Sequence, residues 1–346
     1  MPRLSYSRAG VDLKKVRGIH EVLATVLGAT FANRKGLKGA PLIPIGHYAG
    51  LIDLGGEALA LHTDGVGTKV LVAQQLRRFS TVGIDCVAMT VNDLVCMGAE
   101  PLALVDYIAL QREDHSLVRE LMKGLVEGAR LAGVAIVGGE TAILGDVITG
   151  VAGKGFDLAC MGVGLVPKEM ILDGRCVEAG DVVVGVESSG LHSNGYTLAR
   201  RVFGRGGLSG EVPGMGSTVG EALLTPTRVY VRPALSALRT CEVHGMGHIT
   251  GGAFTKLTRL SGDRELKFDL TIPRPPPIFQ LIRSEGGISE AEMYRTFNMG
   301  IGLCLVVPDS ERRRAARPFE KEGFRTHFVG TVKKGRGVSV NGAQIA

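Results

Sequence analysis

The sequence predicts an α+β fold in two domains, and three observations carry that expectation. The chain has 346 residues, and at about 150 residues per domain two separate cores are the natural arrangement. Strand-like and helical segments mix without the regular βαβ cadence of a doubly wound sheet. The pattern also restarts midway: a strand ends at Pro167, the turn Asp173-Gly174 follows, and a new apolar run begins at Asp181. The expected domains are therefore 1–166 and 167–346.

Taken in order, residues 1–40 read as an irregular arm with one helical stretch near Val16–Leu27. Leu51–Leu54 and Ala58–His62 flank Gly55-Gly56 and predict a β-hairpin. A loop over Asp64–Lys69 leads into helical periodicity over 69–98. Leu102–Leu110 predicts a strand, Ser116–Ala132 a helix, Val134–Val137 a short strand and Phe156–Val166 another. In the second half, Asp181–Val186 reads as a strand and Tyr196–Phe203 as a helix. Helices near Ser217–Leu224 and Val229–Leu238, a strand near His244–His248 and a helix from Gly252 follow. An irregular connection runs from Pro273 to Pro277. Strand Ile301–Val307, helix Ser310–Glu322 (with Pro318 inside it) and strands Phe324–Val332 and Val338–Val340 close the chain.

Composition narrows the function. Glycine numbers 50 of 346, about twice the usual roughly 7%. It falls in short clusters between apolar runs, where it permits turns and close approach of backbone to a ligand. The net charge of +6 is concentrated around Arg312, Arg313, Arg314 and Arg317 and at Lys333, Lys334 and Arg336, which reads as a solvated terminal face. With 5% aromatics and no Trp, base-stacking platforms have little material, so no nucleic-acid partner is expected. The six cysteines show no C-x-x-C pair and no zinc spacing, which suggests buried thiols in a reducing compartment. The start Met1-Pro2-Arg3-Leu4-Ser5-Tyr6 lacks an apolar signal core, and no apolar run reaches bilayer length. A cytoplasmic protein with no membrane partner is expected.

The chemistry-bearing segments are loops. Thr63-Asp64-Gly65-Val66-Gly67-Thr68-Lys69 puts two glycines, an acid, a hydroxyl and a lysine between a strand and a helix. It suits a phosphate cradle with Asp64 on Mg²⁺ and Lys69 on phosphate, or a turn capped by Thr68. On the following helix Asn92 falls within about 20° of Asp85, and Asp93 about 80° away. Acids on so apolar a helix need a cation, hydrogen-bond donors or a place on the surface. Gly138-Gly139-Glu140-Thr141 closes a short apolar strand and suits phosphate or Mg²⁺, or a plain turn. In the second half, Ser188-Ser189-Gly190-Leu191-His192-Ser193-Asn194 precedes a helix and suits an anion or a Ser/Asn-rich capping loop, and His248-Ile249-Thr250-Gly251-Gly252, also before a helix, suits an anion nest or a plain glycine turn. Arg295, in Met293–Gly300, reads better as a surface pair than as a phosphate ligand.

These runs, with Tyr6-x-x-Ala9-Gly10-Val11-Asp12, Gly98-Ala99-Glu100-Pro101, Pro226–Tyr230 and Tyr294–Gly300, closely resemble the phosphoribosylformylglycinamidine cyclo-ligases, or aminoimidazole ribonucleotide (AIR) synthetases. The match runs nearly the whole chain in family order. It implies AIR-synthetase-like α+β domains whose N-terminal members pair into a β-barrel in a homodimer. It also implies ATP-dependent closure of formylglycinamidine ribonucleotide to aminoimidazole ribonucleotide, a step of purine synthesis, through an iminophosphate. By resemblance, Asp64, Asp85, Asp93 and Glu140 belong to the Mg²⁺ site. Gly65, Gly67, Thr68, Lys69, Asn92, Gly138, Gly139, Glu140 and Thr141 belong to ATP. Ser188, Ser189, Gly190, His192, Ser193, Asn194, Thr250, Gly251 and Gly252 belong to the substrate. Asp64, Lys69, Asp93 and His192 form the catalytic set, with His192 a proton shuttle.

The sequence departs from the pattern at three places. The family's ATP-proximal lysine corresponds to His20, with Lys14 and Lys15 nearby. Ala142–Asp146 lacks the usual Glu-Met-Pro, and the third glycine of the T-G-G-G nest is Ala253. Thiamine-monophosphate kinase, selenophosphate synthetase and the hydrogenase-maturation dehydratase share the N-terminal acids. This chain has neither a cysteine tail nor a cysteine before Cys86, features of the last two.

Overall fold

A computed structural model describes Tyr6, Ala9, Gly10, residues 12–204 and residues 206–346. Met1–Ser5, Val11 of the N-terminal motif and the Lys14 side chain lie outside the described residues. The first half begins with helix α1 (Leu13–Gly28), then hairpin strands β1 (Gly50–Asp53) and β2 (Glu57–Gly65). Helices α2 (Val70–Leu76) and α3 (Ser80–Cys96) follow, then β3 (Glu100–Leu110), α4 (His115–Ala132), β4 (Ala135–Ile143) and β5 (Phe156–Pro167). The sheet order is β1-β2-β5-β3-β4, antiparallel except for the β3/β4 pair.

Local chemistry explains the boundaries. Asp114 caps α4 by accepting from the Leu117 N–H at 3.0 Å, and Gly133 ends it at φ 74°, a left-handed conformation that glycine adopts without penalty. Helix α3 is buried along nearly its whole length, between the sheet, α4 and the second half. It lies so close to α4 that a Cβ on Gly83 would fall 2.5 Å from the Leu121 carbonyl oxygen, and one on Gly124 1.8 Å from that of Ser80.

The second half contributes β6 (Val182–Glu187), α5 (Tyr196–Phe203), α6 (Val219–Leu224), α7 (Val231–Thr240), β7 (Gly245–His248) and β8 (Leu266–Leu270). It closes with α8 (Pro277–Gly286), α9 (Glu290–Thr296), β9 (Ile301–Val307), α10 (Arg312–Lys321), β10 (Thr326–Lys334), β11 (Gly337–Val340) and β12 (Ala343–Gln344). Its seven strands run β12-β11-β8-β10-β6-β9-β7, with β9 buried along its length. The mixed sheets are those of the expected α+β class. Among the described residues no helix is long and apolar enough to cross a membrane.

Two elements differ from expectation in ways that matter for function. Strand β4 continues to Ile143, so Gly138, Gly139, Glu140 and Thr141 form an exposed edge strand rather than a turn. The segment after Gly252 winds as a 3-10 helix over Ala253–Leu260. Ala253, in the third-glycine position, has φ 46°.

Candidate active site at the seam between the halves

Helix α3 brings Asp85, Asn92 and Asp93 to the second half, and each is consumed there by specific partners. Asp85 is fully buried; one carboxylate oxygen lies 2.7 Å from Lys69 Nζ, and the other accepts from the Thr227 N–H at 2.7 Å and its hydroxyl at 2.6 Å. Asn92 donates to the Arg228 carbonyl at 2.8 Å and accepts from the Tyr230 N–H at 2.9 Å. Both therefore lie on one helix face, as their spacing indicates. Their work there is to clamp the 227–230 segment, and neither is placed as a metal or nucleotide ligand.

Lys69 also departs from expectation. Its side chain is 0% exposed, and besides Asp85 its ammonium donates to the carbonyls of His192 at 2.9 Å and Thr225 at 2.8 Å. Burial lowers its pKa while Asp85 pulls it back up. A lysine with three oxygen partners and no solvent has nothing left for a phosphate. It acts instead as a strut beneath the Ser188–Asn194 loop.

A polar cluster opens toward solvent above this strut. Asp93 accepts from His248 Nδ1 at 2.7 Å, with His62 Nε2 at 3.5 Å and Lys256 Nζ at 3.9 Å. Burial alone would raise the pKa of Asp93, but Lys256, His248 and His62 hold it well below the usual carboxylate range. Asp64 has the opposite balance: burial and the charge of Asp93 raise its pKa against Lys256 and His62. Its carboxylate accepts from the Gly65 N–H at 2.8 Å. Lys256 donates to the Thr250 hydroxyl and is partly exposed. An added Cβ on Gly251 would lie 3.0 Å from Asn194 Oδ1, so the two second-half loops meet beside this cluster. Thr68, partly exposed, reaches Thr197 at 3.3 Å, and Gly67 next to it is exposed at φ 66°.

The loop hydroxyls largely hold the loop itself. Ser188 donates to the Gly190 carbonyl at 2.9 Å, Ser189 to that of Pro226 at 2.6 Å, and Ser193 pairs with Thr227 at 3.4 Å. His192 is buried at φ 61°, its Nε2 accepting from the Ser189 N–H and its Nδ1 without a partner. Burial, with His248, Lys69 and Arg228 nearby, keeps its pKa well below the usual histidine value, so the ring is neutral.

Glu140 is not part of this assembly. The pairings Asp64↔Cys160↔Asp106↔Gly139 put Asp64 and Asp106 in one row of the sheet, facing α3. Glu140 sits in the next row with Tyr107, on the opposite face. Three strand spacings, roughly 14 Å, separate β2 from β4. Among the described residues no three His, Cys, Asp or Glu side chains converge on a metal position. Arg295 donates to the Gln344 and Ile345 carbonyls, a tie to the last strand rather than a pairing with a surface acid.

Comparison with known proteins gives the family of the chain. The family model described as AIR synthase related protein, N-terminal domain, matches residues 46–166, and its C-terminal counterpart matches 178–342. Phosphoribosylformylglycinamidine cyclo-ligase of Methanosarcina mazei is 47% identical over 317 residues, which is 90% of this chain and 91% of the relative. The chain belongs to the phosphoribosylformylglycinamidine cyclo-ligase family. The fold is shared more widely than that. Thiamine-monophosphate kinase from Stenotrophomonas maltophilia K279a superposes with a TM-score of 0.61 at 19% identity, covering 91% of this chain and 96% of that one. AaThiL, solved with AMPPCP and TMP, gives 0.66 at 16% identity, covering 96% of each.

Sequence reasoning did not mark His62 and Lys256, which lie beside Asp93, or Asp106, which shares a sheet row with Asp64. His62 and Asp64 alternate along β2 and so share a face, a signal legible once β2 is extended to Gly65. Lys256 follows Gly252 by four positions within the 3-10 helix Ala253–Leu260, with no local mark in the sequence that sets it apart. Asp106 stands out only through its row partner Asp64.

Proposed function

We infer that the chain is an ATP-dependent cyclo-ligase that closes formylglycinamidine ribonucleotide to aminoimidazole ribonucleotide, releasing ADP and phosphate. The 47% identity over 90% of the chain carries this reading. Transfer of a phosphoryl group to the formyl oxygen, and its displacement by the ribose-linked nitrogen, require positioning and charge compensation more than covalent help. Lys256, partly exposed beside the backbone of Gly251 and Gly252, is proposed as a cation for phosphate. Gly67 and Thr68 present the second open cradle. Asn194 and Thr250, on the loops that meet there, are proposed to hold the substrate, and neutral His192, whose Nε2 accepts from the Ser189 N–H and whose proton therefore sits on Nδ1, is proposed to offer that proton from Nδ1. His248 is proposed to fix the orientation of the Asp93 carboxylate.

Mg²⁺ is proposed to enter with ATP. Asp64 has a single backbone donor, whereas Asp85 and Asp93 are committed and Glu140 faces away. An ion at Asp64 would complete its shell from phosphates and water, as Mg²⁺ commonly does. The homodimer is supported by an apolar outer sheet face on which Tyr107 is 44% and Met161 43% exposed, the surface expected to pair into a barrel. A domain boundary at 166/167 accords with the family models, which stop at 166 and resume at 178. A cytoplasmic location accords with this metabolic role.

The test mixes purified protein with ATP, Mg²⁺ and formylglycinamidine ribonucleotide and assays the aminoimidazole by diazo coupling. Product is expected. Its absence beside an active control, or phosphorylation of thiamine monophosphate instead, overturns the assignment.

A further inference from the structure

Beneath the seam, outside the groups assigned to catalysis, two thiols meet. Cys86 on α3 and Cys160 on β5 are both buried, and their sulfurs are 3.2 Å apart. Among the described residues no other two sulfurs come within hydrogen-bonding distance. A disulfide needs an S–S distance near 2.05 Å, about 1 Å closer.

The packing keeps the pair together from both sides. Gly162, two residues beyond Cys160, lets α3 approach β5 so closely that a Cβ there would sit 2.8 Å from Thr90 Cγ2 and 3.0 Å from Leu94 Cδ1. From behind, α4 presses on α3 at Gly83 and Gly124. The helix therefore cannot withdraw and carry Cys86 from its partner without losing two close-packed contacts.

We propose that Cys86 and Cys160 are a disulfide-forming pair that cross-links α3 to the central strand of the first sheet. The oxidant is a small-molecule disulfide. One cysteine thiolate attacks it and expels a thiol, and the second cysteine then attacks the mixed disulfide and expels the other. Two protein thiols are oxidised, one external disulfide is reduced to two thiols, and the protons balance.

Burial, the Cys160 contact and the acids Asp64 and Asp106 push the Cys86 thiol well above its usual value, so thiolate is scarce in the closed fold. Exchange therefore proceeds through local opening, and the bond behaves as a staple rather than a fast switch. The loop it closes spans 74 positions, long enough for a large constraint on the unfolded chain. The bond would tie the helix bearing Asp85, Asn92 and Asp93 to the strand lying between Asp64 and Asp106.

The full chain is incubated with oxidised glutathione a few degrees below its melting temperature, alkylated in denaturant and mapped by non-reducing peptide mass spectrometry. A peptide joining Cys86 to Cys160 is expected, whereas exposed Cys176 should be found alkylated or joined to glutathione and not to another protein cysteine. The oxidised protein should melt several degrees above the same protein treated with dithiothreitol. Cys86→Ser and Cys160→Ala should each abolish the linked peptide and that difference. Full alkylation of both wild-type cysteines, or a bond from either to another cysteine, overturns the proposal. The result does not depend on turnover, so it stands or falls apart from the cyclo-ligase reading.

Discussion

Lys69 carries its charge out of contact with water, so its three oxygen partners set its role. Removing the ammonium strands the Asp85 carboxylate, and Lys69→Met should cost about 3–5 kcal/mol of stability in urea unfolding. A loss below about 1 kcal/mol would contradict the buried pair. Asp93 is the pivot of the open cluster. Asp93→Asn should lower turnover at least roughly tenfold, about 1.4 kcal/mol of barrier, while circular dichroism stays native. His47 supplies a pH test read on stability rather than on turnover. Burial, then Arg259, lower its pKa to about 4 from 6.5, against Asp173 and Asp93. The unfolded chain takes up this proton first on acidification. The contribution is therefore complete above about pH 6.5 and lost as pH falls toward 4, up to about 3 kcal/mol in all. His47→Gln should flatten that limb of a stability-against-pH series. The sequence marked Asp64, Asp93 and the glycine loops because local pattern announces them. It does not announce the partners of Lys69, because the carbonyls that claim it come from His192 and Thr225, more than a hundred positions away.

At the scale of elements, the α3–α4 crossing depends on missing side chains. Gly124→Ala would drive a methyl into the Ser80 carbonyl, and displacing the helices should cost at least about 3 kcal/mol, read from chemical denaturation. Elements with strong periodicity and clear ends were legible: α5 and β9 run as the sequence indicates. Three others went unread although their marks are present. Helix α8 carries Pro277 at its first turn and Gly287 at φ 57° past its end, a start and stop signal hidden by the adjoining prolines. Strand β8 alternates buried Leu266, Phe268 and Leu270 with half-buried Lys267 and Asp269, and α9 is short and charged. Strand β4 was cut short because Gly138-Gly139 imitates a turn. Its continuation is fixed by pairing with β3, and Gly139 is small because the Asp106 carboxylate leans over it.

Across the whole molecule, two apolar surfaces stay exposed among the described residues: the outer face of the first sheet, and the stripe Ile19, Val22, Leu23 and Val26 on α1. Exposed faces of this kind mark association sites. Sedimentation should give about twice the 36.5 kDa chain mass, and Met161→Lys with Tyr107→Lys should return the monomer. A wild-type monomer at micromolar concentration would count against the barrel dimer. The two-part α+β plan was legible from length and the midway restart, whereas the seam was not, since it exists only where distant segments meet.

That seam bears on what a cut in the connection would do. Arg175 and Cys176 are exposed between the two sheets, in reach of trypsin, yet Lys69, Asp85, Asn92 and Asp93 all hold the other side of such a cut. A nicked chain would stay in one piece until denatured. Its two fragments, made separately, would each expose buried charges that only the other can satisfy, so they should be stable as a complementing pair and poorly soluble alone.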